Sequence, residues 1–286
     1  SIEWHKTQGM IESVYVPSLT FAATVNEVVH AGATPVFGDV DDWMCLIPDN
    51  SFCQLAIPVH LTGNIASIDY ECPVIEDSAH RIDKDQCRDS KSLVCFSFYA
   101  TKNMTTGEGG MIATNDKKAY DWLMQARHHG ISKDGWNRYK KGGAWRYDIE
   151  FVGHKANQSD ILAAIGIEQL KKLPDFDKRR RDIITIYNEA FGYMNDGLHL
   201  YPVLVKNRDT FIKEMAKANV QCSVHFLPVH LMTAYSSDTK LPRTEFLGEH
   251  LVSLPLYPGM TNREIDYVID TAILTKQILP WGKTNY

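Results

Sequence analysis

The chain has 286 residues, a hydrophobic fraction of 44%, a charged fraction of 23% and a net charge of −5. That is the profile of an ordinary globular protein with room for one large domain or two unequal ones. The acidic balance gives no global attraction to nucleic acid or anionic lipid, and no uncharged apolar run reaches membrane-spanning length.

Ser1 to Met10 is mixed polar without an apolar core, so no signal peptide is read there. A strand follows almost at once, Val14 to Pro17, and the start at Ser1 reads as a chain lacking its beginning. Phe21 to His30 has apolar residues at helical spacing, with Gly32 placed to stop the helix. Short apolar strands are then expected at Thr34–Phe37, Gln54–Val59, Pro73–Ile75, Leu93–Phe98 and Gly110–Thr114. Asn115 is read as the cap of a helix running to about His129. Strands alternating with helices predict a mostly parallel sheet covered on both faces.

The stretch Gly130 to Tyr147 is polar, aromatic-rich and without a clear period. A loop this long is usually functional or disordered, and its aromatic residues argue against disorder. Ser159 then caps a helix whose stripe of Leu162, Ile165, Gln169, Leu170 and Leu173 is broken by the small residues Ala163, Ala164 and Gly166. Pro174 is expected to end it, and a second helix is expected from Asp175 to Tyr193. Its basic run Lys178-Arg179-Arg180-Arg181 is interleaved with Asp175, Asp177 and Asp182, and reads as a solvated helix face. The remainder reads as a small α+β unit, with strands Leu200–Val205 and Gln221–Phe226, a helix Thr210–Ala218 between them, and a last helix from Asn262 to about Ile278. The six cysteines include no C-x-x-C pair, and all are expected as reduced thiols.

Two strand ends carry the chemistry. In an open α/β sheet, ligands bind at the carboxyl ends of the strands. Lys102 stands where an apolar strand meets a glycine-rich turn, Thr101-Lys102-Asn103-Met104-Thr105-Thr106-Gly107-Glu108-Gly109-Gly110. Asp77 ends the strand Pro73-Val74-Ile75. An amine and a carboxylate so placed are what pyridoxal phosphate needs, the amine to form a Schiff base and the carboxylate to pair with the protonated ring nitrogen. Each has a plainer reading: a solvated loop lysine and a cap for the next helix. His80 would face the same site if a helix began at Asp77. His60 ends a strand, and His225 and His230 match no helical metal-ligand spacing because Pro228 intervenes; no metal is expected.

The chain resembles the DegT/DnrJ/EryC1/StrS family of pyridoxal-phosphate sugar aminotransferases. The resemblance rests on Val16-Pro17-Ser18-Leu19-Thr20-Phe21-Ala22-Ala23-Thr24, Ala31-Gly32-Ala33-Thr34-Pro35-Val36-Phe37, Pro58-Val59-His60-Leu61-Thr62-Gly63, Ile75-Glu76-Asp77-Ser78-Ala79-His80, the Lys102 segment, Ala164-Ile165-Gly166-Ile167-Glu168-Gln169-Leu170, Val224-His225-Phe226 and Leu254-Pro255-Leu256-Tyr257. It implies an α/β chain of the fold type I, aspartate aminotransferase-like architecture. A large cofactor domain would span 1–157, interdomain or dimer helices 158–194 and a small C-terminal domain 195–286. By position, Lys102 matches the Schiff-base lysine, Asp77 the partner of the ring nitrogen and His80 a residue beside the phenolic oxygen. Ser97 matches a phosphate ligand, Phe21 the aromatic residue stacked on the ring, and Asn157 a residue reaching the phosphate of the neighbouring subunit. His225, Tyr99, Trp136 and Arg138 are expected at the sugar nucleotide. The implied reaction moves an amino group from glutamate to a keto carbon of a nucleotide-linked 4-keto-6-deoxysugar, C4 before C3, in a cytoplasmic homodimer with shared sites and no nucleic-acid or membrane partner.

Three features depart from the family pattern. A Ser/Thr-Gly-Thr phosphate turn ahead of the first strand is missing, His154 and Ala156 replace the usual aromatic residues around Asn157, and Arg81 to Lys91 lacks the usual glycines. The alternatives are a sugar 3-dehydratase, which Lys102 opposes because such enzymes carry histidine there, and a non-catalytic or regulatory relative or inactive remnant. A nicotinamide dehydrogenase is disfavoured because no G-x-G-x-x-G follows the first strand.

Overall fold

A computed structural model describes residues 1–52, 54–83, 86, 92–132 and 147–281. Helix α1 (Ile2–Gln8) precedes strand β1 (Ser13–Pro17), helix α2 (Ala22–His30) and strand β2 (Thr34–Gly38). β1 and β2 pair in parallel from Ser13↔Thr34 to Pro17↔Gly38. The turn out of α2 needs the left-handed conformation at Gly32, φ +68°, and the Lys6 ammonium caps the helix end by donating to Ala31 O at 2.6 Å. Helix α1 was not expected. Its Ile2, Trp4 and His5 are buried, and the first two join the core formed by Val14, Val16, Val25, Val28, Leu55, Ile57, Ile75 and Leu93.

The expected strand at 54–59 lies in its expected place but forms only isolated bridges, Tyr15↔Ala56, Ala56↔Val74 and Val59↔Asp77. Pro58 has no N–H to give a continuous ladder, although its carbonyl still accepts from Asp77 N at 2.9 Å. This segment joins β1 to strand β3 (Ile75–Asp77), which pairs in parallel with β4 (Leu93–Ser97). Strand β5 (Gly110–Ala113) closes the edge and is antiparallel to β4. Helix α3 (Lys117–Ala126) is capped by Asp116, not Asn115: the Asp116 carboxylate accepts from Lys118 N at 2.8 Å.

Helix α4 (Asp160–Phe191) is one continuous helix of 32 residues with Pro174 inside it, where a break was expected. An interior proline costs a helix about 3 kcal/mol. Packing on both sides outweighs that: Leu173 is buried with Phe98 and Met104, and Ile183, Ile184 and Tyr187 enter the C-terminal core. Arg180, from the basic run read as solvated, is buried.

Beyond α4 come strand β6 (Tyr201–Leu204), helix α5 (Arg208–Lys217), helix α6 (Pro242–His250), strand β7 (Leu251–Leu254) and helix α7 (Asn262–Leu274). β6 pairs antiparallel with β7, not with 221–226, which touches β7 at one bridge, Ser223↔Ser253. A third apolar cluster joins Leu19, Val59 and Leu61 to Leu204, Leu247 and Leu251, so the C-terminal unit packs against the loops at the carboxyl edge of the sheet. Cys45, Cys95 and Cys222 are free thiols, but Cys72 is disulfide-bonded, which corrects the expectation of fully reduced cysteines. No helix among the described residues is long and apolar enough to cross a membrane.

Candidate active site

Lys102 is held by the turn that leaves β4. Its backbone N–H donates to Tyr99 O at 3.0 Å, Thr106 N to Phe98 O at 3.0 Å, and Phe98 N to Gly109 O at 2.8 Å. Gly107 adopts φ +81° at the tip, and its N–H donates to Thr105 Oγ1 at 2.8 Å. Helix α4 presses on this turn at Gly166, where a Cβ would stand 3.0 Å from Thr106 Cγ2. Gly166, one of the small residues that break the apolar stripe, therefore serves packing within the chain. Burial holds the Lys102 amine below its ordinary pKa, while the Asp77 carboxylate pulls the other way. A lysine desolvated beside a carboxylate is a usable nucleophile.

Asp77 stands at the carboxyl end of β3, next to β4 in the sheet. Its Oδ2 accepts from the Thr24 hydroxyl at 2.7 Å, and Thr24 is hydrogen-bonded in turn to Thr20 at 3.0 Å. Its Oδ1 accepts from Ala79 N at 3.1 Å. No helix starts here; residues 79–80 form a turn, so the carboxylate closes an Asx turn instead of capping a helix.

His80 is buried all the same. Its Nδ1 bonds to Leu61 O, and a carbonyl can only accept, so Nδ1 carries the proton and Nε2 is the acceptor. Burial, with Lys102 and His225 nearby, pushes the His80 pKa down to about 3 although the Leu61 bond opposes the shift. The ring is neutral at physiological pH.

The remaining expected residues divide. Phe21 is largely exposed and its ring lies 5.5 Å from Phe226, which in turn lies 6.2 Å from His80. His225 is hydrogen-bonded through Nδ1 to Ser253 Oγ at 3.0 Å, and burial and Lys102 lower its pKa. Ser97 ends β4 and its Oγ accepts from Tyr99 N at 3.3 Å; Tyr99 itself is exposed. Asn157 is exposed in the segment leading into α4. Trp136 and Arg138 lie outside the described residues. Four neighbours escaped the sequence reading: Thr24, Asn103, His199 and Phe226. Thr24 lay inside a segment that had been noted, and only Phe21 was singled out from it. His199 sits in a loop without periodic signal.

The donor set fits pyridoxal phosphate. A desolvated amine, a carboxylate oriented by two donors and a neutral imidazole with a bare Nε2 converge at neighbouring strand ends, with an exposed aromatic ring beside them. Among the described residues no group of side chains could hold a metal ion.

Comparison with known proteins agrees. The sequence model of the DegT/DnrJ/EryC1/StrS aminotransferase family matches residues 7–272. A protein of Methanocaldococcus jannaschii, MJ1066, is 38% identical over 94% of this chain and 80% of its own length. The spore coat polysaccharide biosynthesis protein SpsC of Bacillus subtilis is 34% identical over 92% of this chain and 78% of its own. The structure is similar to that of Streptococcus pneumoniae Spr1654, described as a sugar aminotransferase and solved in its PMP form, with TM-score 0.83 and 27% identity over 92% of this chain and 81% of that one.

Proposed function

The chain belongs to the DegT/DnrJ/EryC1/StrS aminotransferase family, pyridoxal-phosphate enzymes that aminate sugars, and from that premise we propose that it transfers the amino group of glutamate to C4 of a nucleotide-linked 4-keto-6-deoxysugar. The observation that carries the reading is the pair formed by Lys102 and Asp77. The amine is desolvated, the carboxylate is fixed by Thr24 and Ala79, and the carboxylate's charge acts on the amine from the adjacent strand end.

When bound, the cofactor supplies an electron sink for the carbon that loses its proton. Lys102 would hold the cofactor covalently, and its free amine would move that proton. Asp77 supplies the fixed negative charge opposite the ring nitrogen. His80 offers Nε2 to the cofactor's oxygen edge, Ser97 holds the phosphate, and Phe21 covers the ring. His225, Tyr99, Trp136 and Arg138 are assigned to the sugar nucleotide. The preference for C4 over C3 is supported by the likeness of Thr105-Thr106-Gly107-Glu108-Gly109-Gly110 and Arg127-His128-His129-Gly130 to members that aminate C4. The likeness to SpsC supports a product destined for polysaccharide.

The reading includes a cytoplasmic homodimer in which Asn157 reaches the neighbouring site. It is supported by the apolar surface that α4 and its approach leave exposed: Val152 at 95%, Ile161 at 76% and Leu170 at 53%.

The test supplies glutamate and a panel of nucleotide-linked 3-keto and 4-keto sugars, with the product read by NMR. Amine at C4 with stoichiometric 2-oxoglutarate is expected. Amine at C3, or turnover of none of the sugars, overturns the proposal.

A further inference from the structure

His199 comes from the loop before β6, yet it lies against His80 and against Asn103, the residue after Lys102. Its ring stacks on His80 with centroids 4.0 Å apart and planes 30° from parallel. Its Nδ1 bonds to Asn103 Oδ1 at 2.6 Å, and Asn103 directly follows Lys102. The backbone is equally committed. His199 N donates to Thr62 O at 2.9 Å and Leu200 N to the same carbonyl at 3.2 Å. The preceding carbonyl, Leu61 O, is the one that holds His80.

Two glycines permit this approach. A Cβ on Gly197 would stand 2.6 Å from Thr62 O, and one on Gly63 would stand 2.7 Å from Leu198 N. Consecutive carbonyls thus hold the His80 ring and the His199 backbone, and the two imidazoles meet at a 30° tilt.

The stack works only if both rings are neutral, because like charges at this separation repel strongly away from water. Burial lowers the pKa of His199, and His80, Lys102, Arg180 and His225 push it further in the same direction. On His80 the neighbouring groups are Lys102 and His225. His199 donates from Nδ1, as His80 does, so the two rings share one tautomer.

We propose that His199 is a positioning residue: stacked on His80 and bonded to Asn103, it fixes the plane of the His80 ring, whose tautomer the Leu61 carbonyl sets, and ties it to the Lys102 turn. The C-terminal unit thereby sets the geometry of cofactor groups borne on the sheet. The inference rests on the cofactor roles proposed above for Lys102 and His80.

The test uses the full chain and the variants His199→Ala and His199→Phe. Histidine 15N NMR without cofactor reads the tautomer and titration of His80, and fluorescence reads the dissociation constant of pyridoxal phosphate. In His199→Ala, His80 is expected to keep its Nδ1–H form at neutral pH and to titrate about one pH unit or more higher, as a less confined imidazole does. Cofactor binding should weaken about tenfold, the scale of one lost hydrogen bond. His199→Phe keeps an aromatic face but no bond to Asn103, so His80 should stay in the wild-type form while binding still weakens. A lowered melting temperature with His80 and cofactor affinity unchanged reduces His199 to packing and overturns the proposal. If His199→Ala does not fold, His199→Phe decides: wild-type affinity overturns the tie to the Lys102 turn, and weakened affinity supports it. A wild-type chain that takes up no pyridoxal phosphate, with His80 responding as expected, overturns the cofactor reading while upholding the pairing of the two histidines.

Discussion

Glu76 and Asp77 are neighbours in β3, and the alternation of a strand sends them to opposite faces. Glu76 is buried with its oxygens taken by the Ser92 hydroxyl and by His60 Nε2 at 3.2 Å. His60 Nδ1 in turn accepts from Ala66 N at 3.1 Å. Burial works against the Glu76 carboxylate, but the bonds from His60 and Ser92 outweigh it and leave its pKa below the ordinary value. That network is closed. Asp77 is half-buried and held, among the described residues, by Thr24 and Ala79, and its charge acts on a lysine whose own desolvation makes it reactive. Saturated polar groups hold a fold together, whereas a carboxylate with unspent acceptor capacity is available to a ligand.

Substitutions on the two faces should separate accordingly. Lys102→Ala should abolish both amino transfer and the visible band of the bound cofactor; turnover retained in that variant would sink the assignment. Asp77→Asn should lower kcat by about a hundredfold or more, the scale seen when a designed electrostatic partner is lost, with little change in melting temperature. If it chiefly unfolds the protein, the Asx turn was the main role.

Glu76→Gln should do the reverse. It weakens a buried charge-assisted network and should cost about 3 kcal/mol in denaturant unfolding, while cofactor affinity of the folded fraction stays near wild type. A Glu76→Gln protein that is stable but inactive would erase the contrast between the faces.

His80 gives a pH-dependent prediction. Its folded pKa of about 3 lies below the 6.5 of an unfolded histidine, so between those values the unfolded chain binds more protons. Stability must fall as pH drops from 6.5 toward 3, and His80→Gln should flatten that arm of the unfolding profile. The smallest effect is expected from Gly166→Ala, whose Cβ would press on Thr106 at 3.0 Å. About 1 kcal/mol of overpacking is expected, with a measurable slowing of Lys102 chemistry.

The strand ends were legible because their signals are local. An apolar run followed by glycines gave the Lys102 turn, and the strand before Asp77 gave its carboxylate. What escaped depends on distant partners. Helix α1 has too few residues for a period, and it forms because Ile2 and Trp4 find the core. The helix through Pro174 needed Leu173 and Ile183 to be seen in their clusters. The strand expected at 221–226 gives way because His225 is drawn to Ser253 and the site. His199 meets Asn103 across 96 residues of chain, a separation that no spacing rule reads.

Helix α4 has a mechanical consequence. Its 32 residues make a rod about 48 Å long. One half bears on the Lys102 turn through Gly166 and Leu173, and the other is embedded in the C-terminal core through Ile183 and Tyr187. A rod clamped at both ends works as a lever, and Pro174, where one backbone hydrogen bond is lost, is its point of greatest compliance. Any swing of the C-terminal unit against the sheet is therefore felt at Lys102, and bending is concentrated at a single residue between the two clamps.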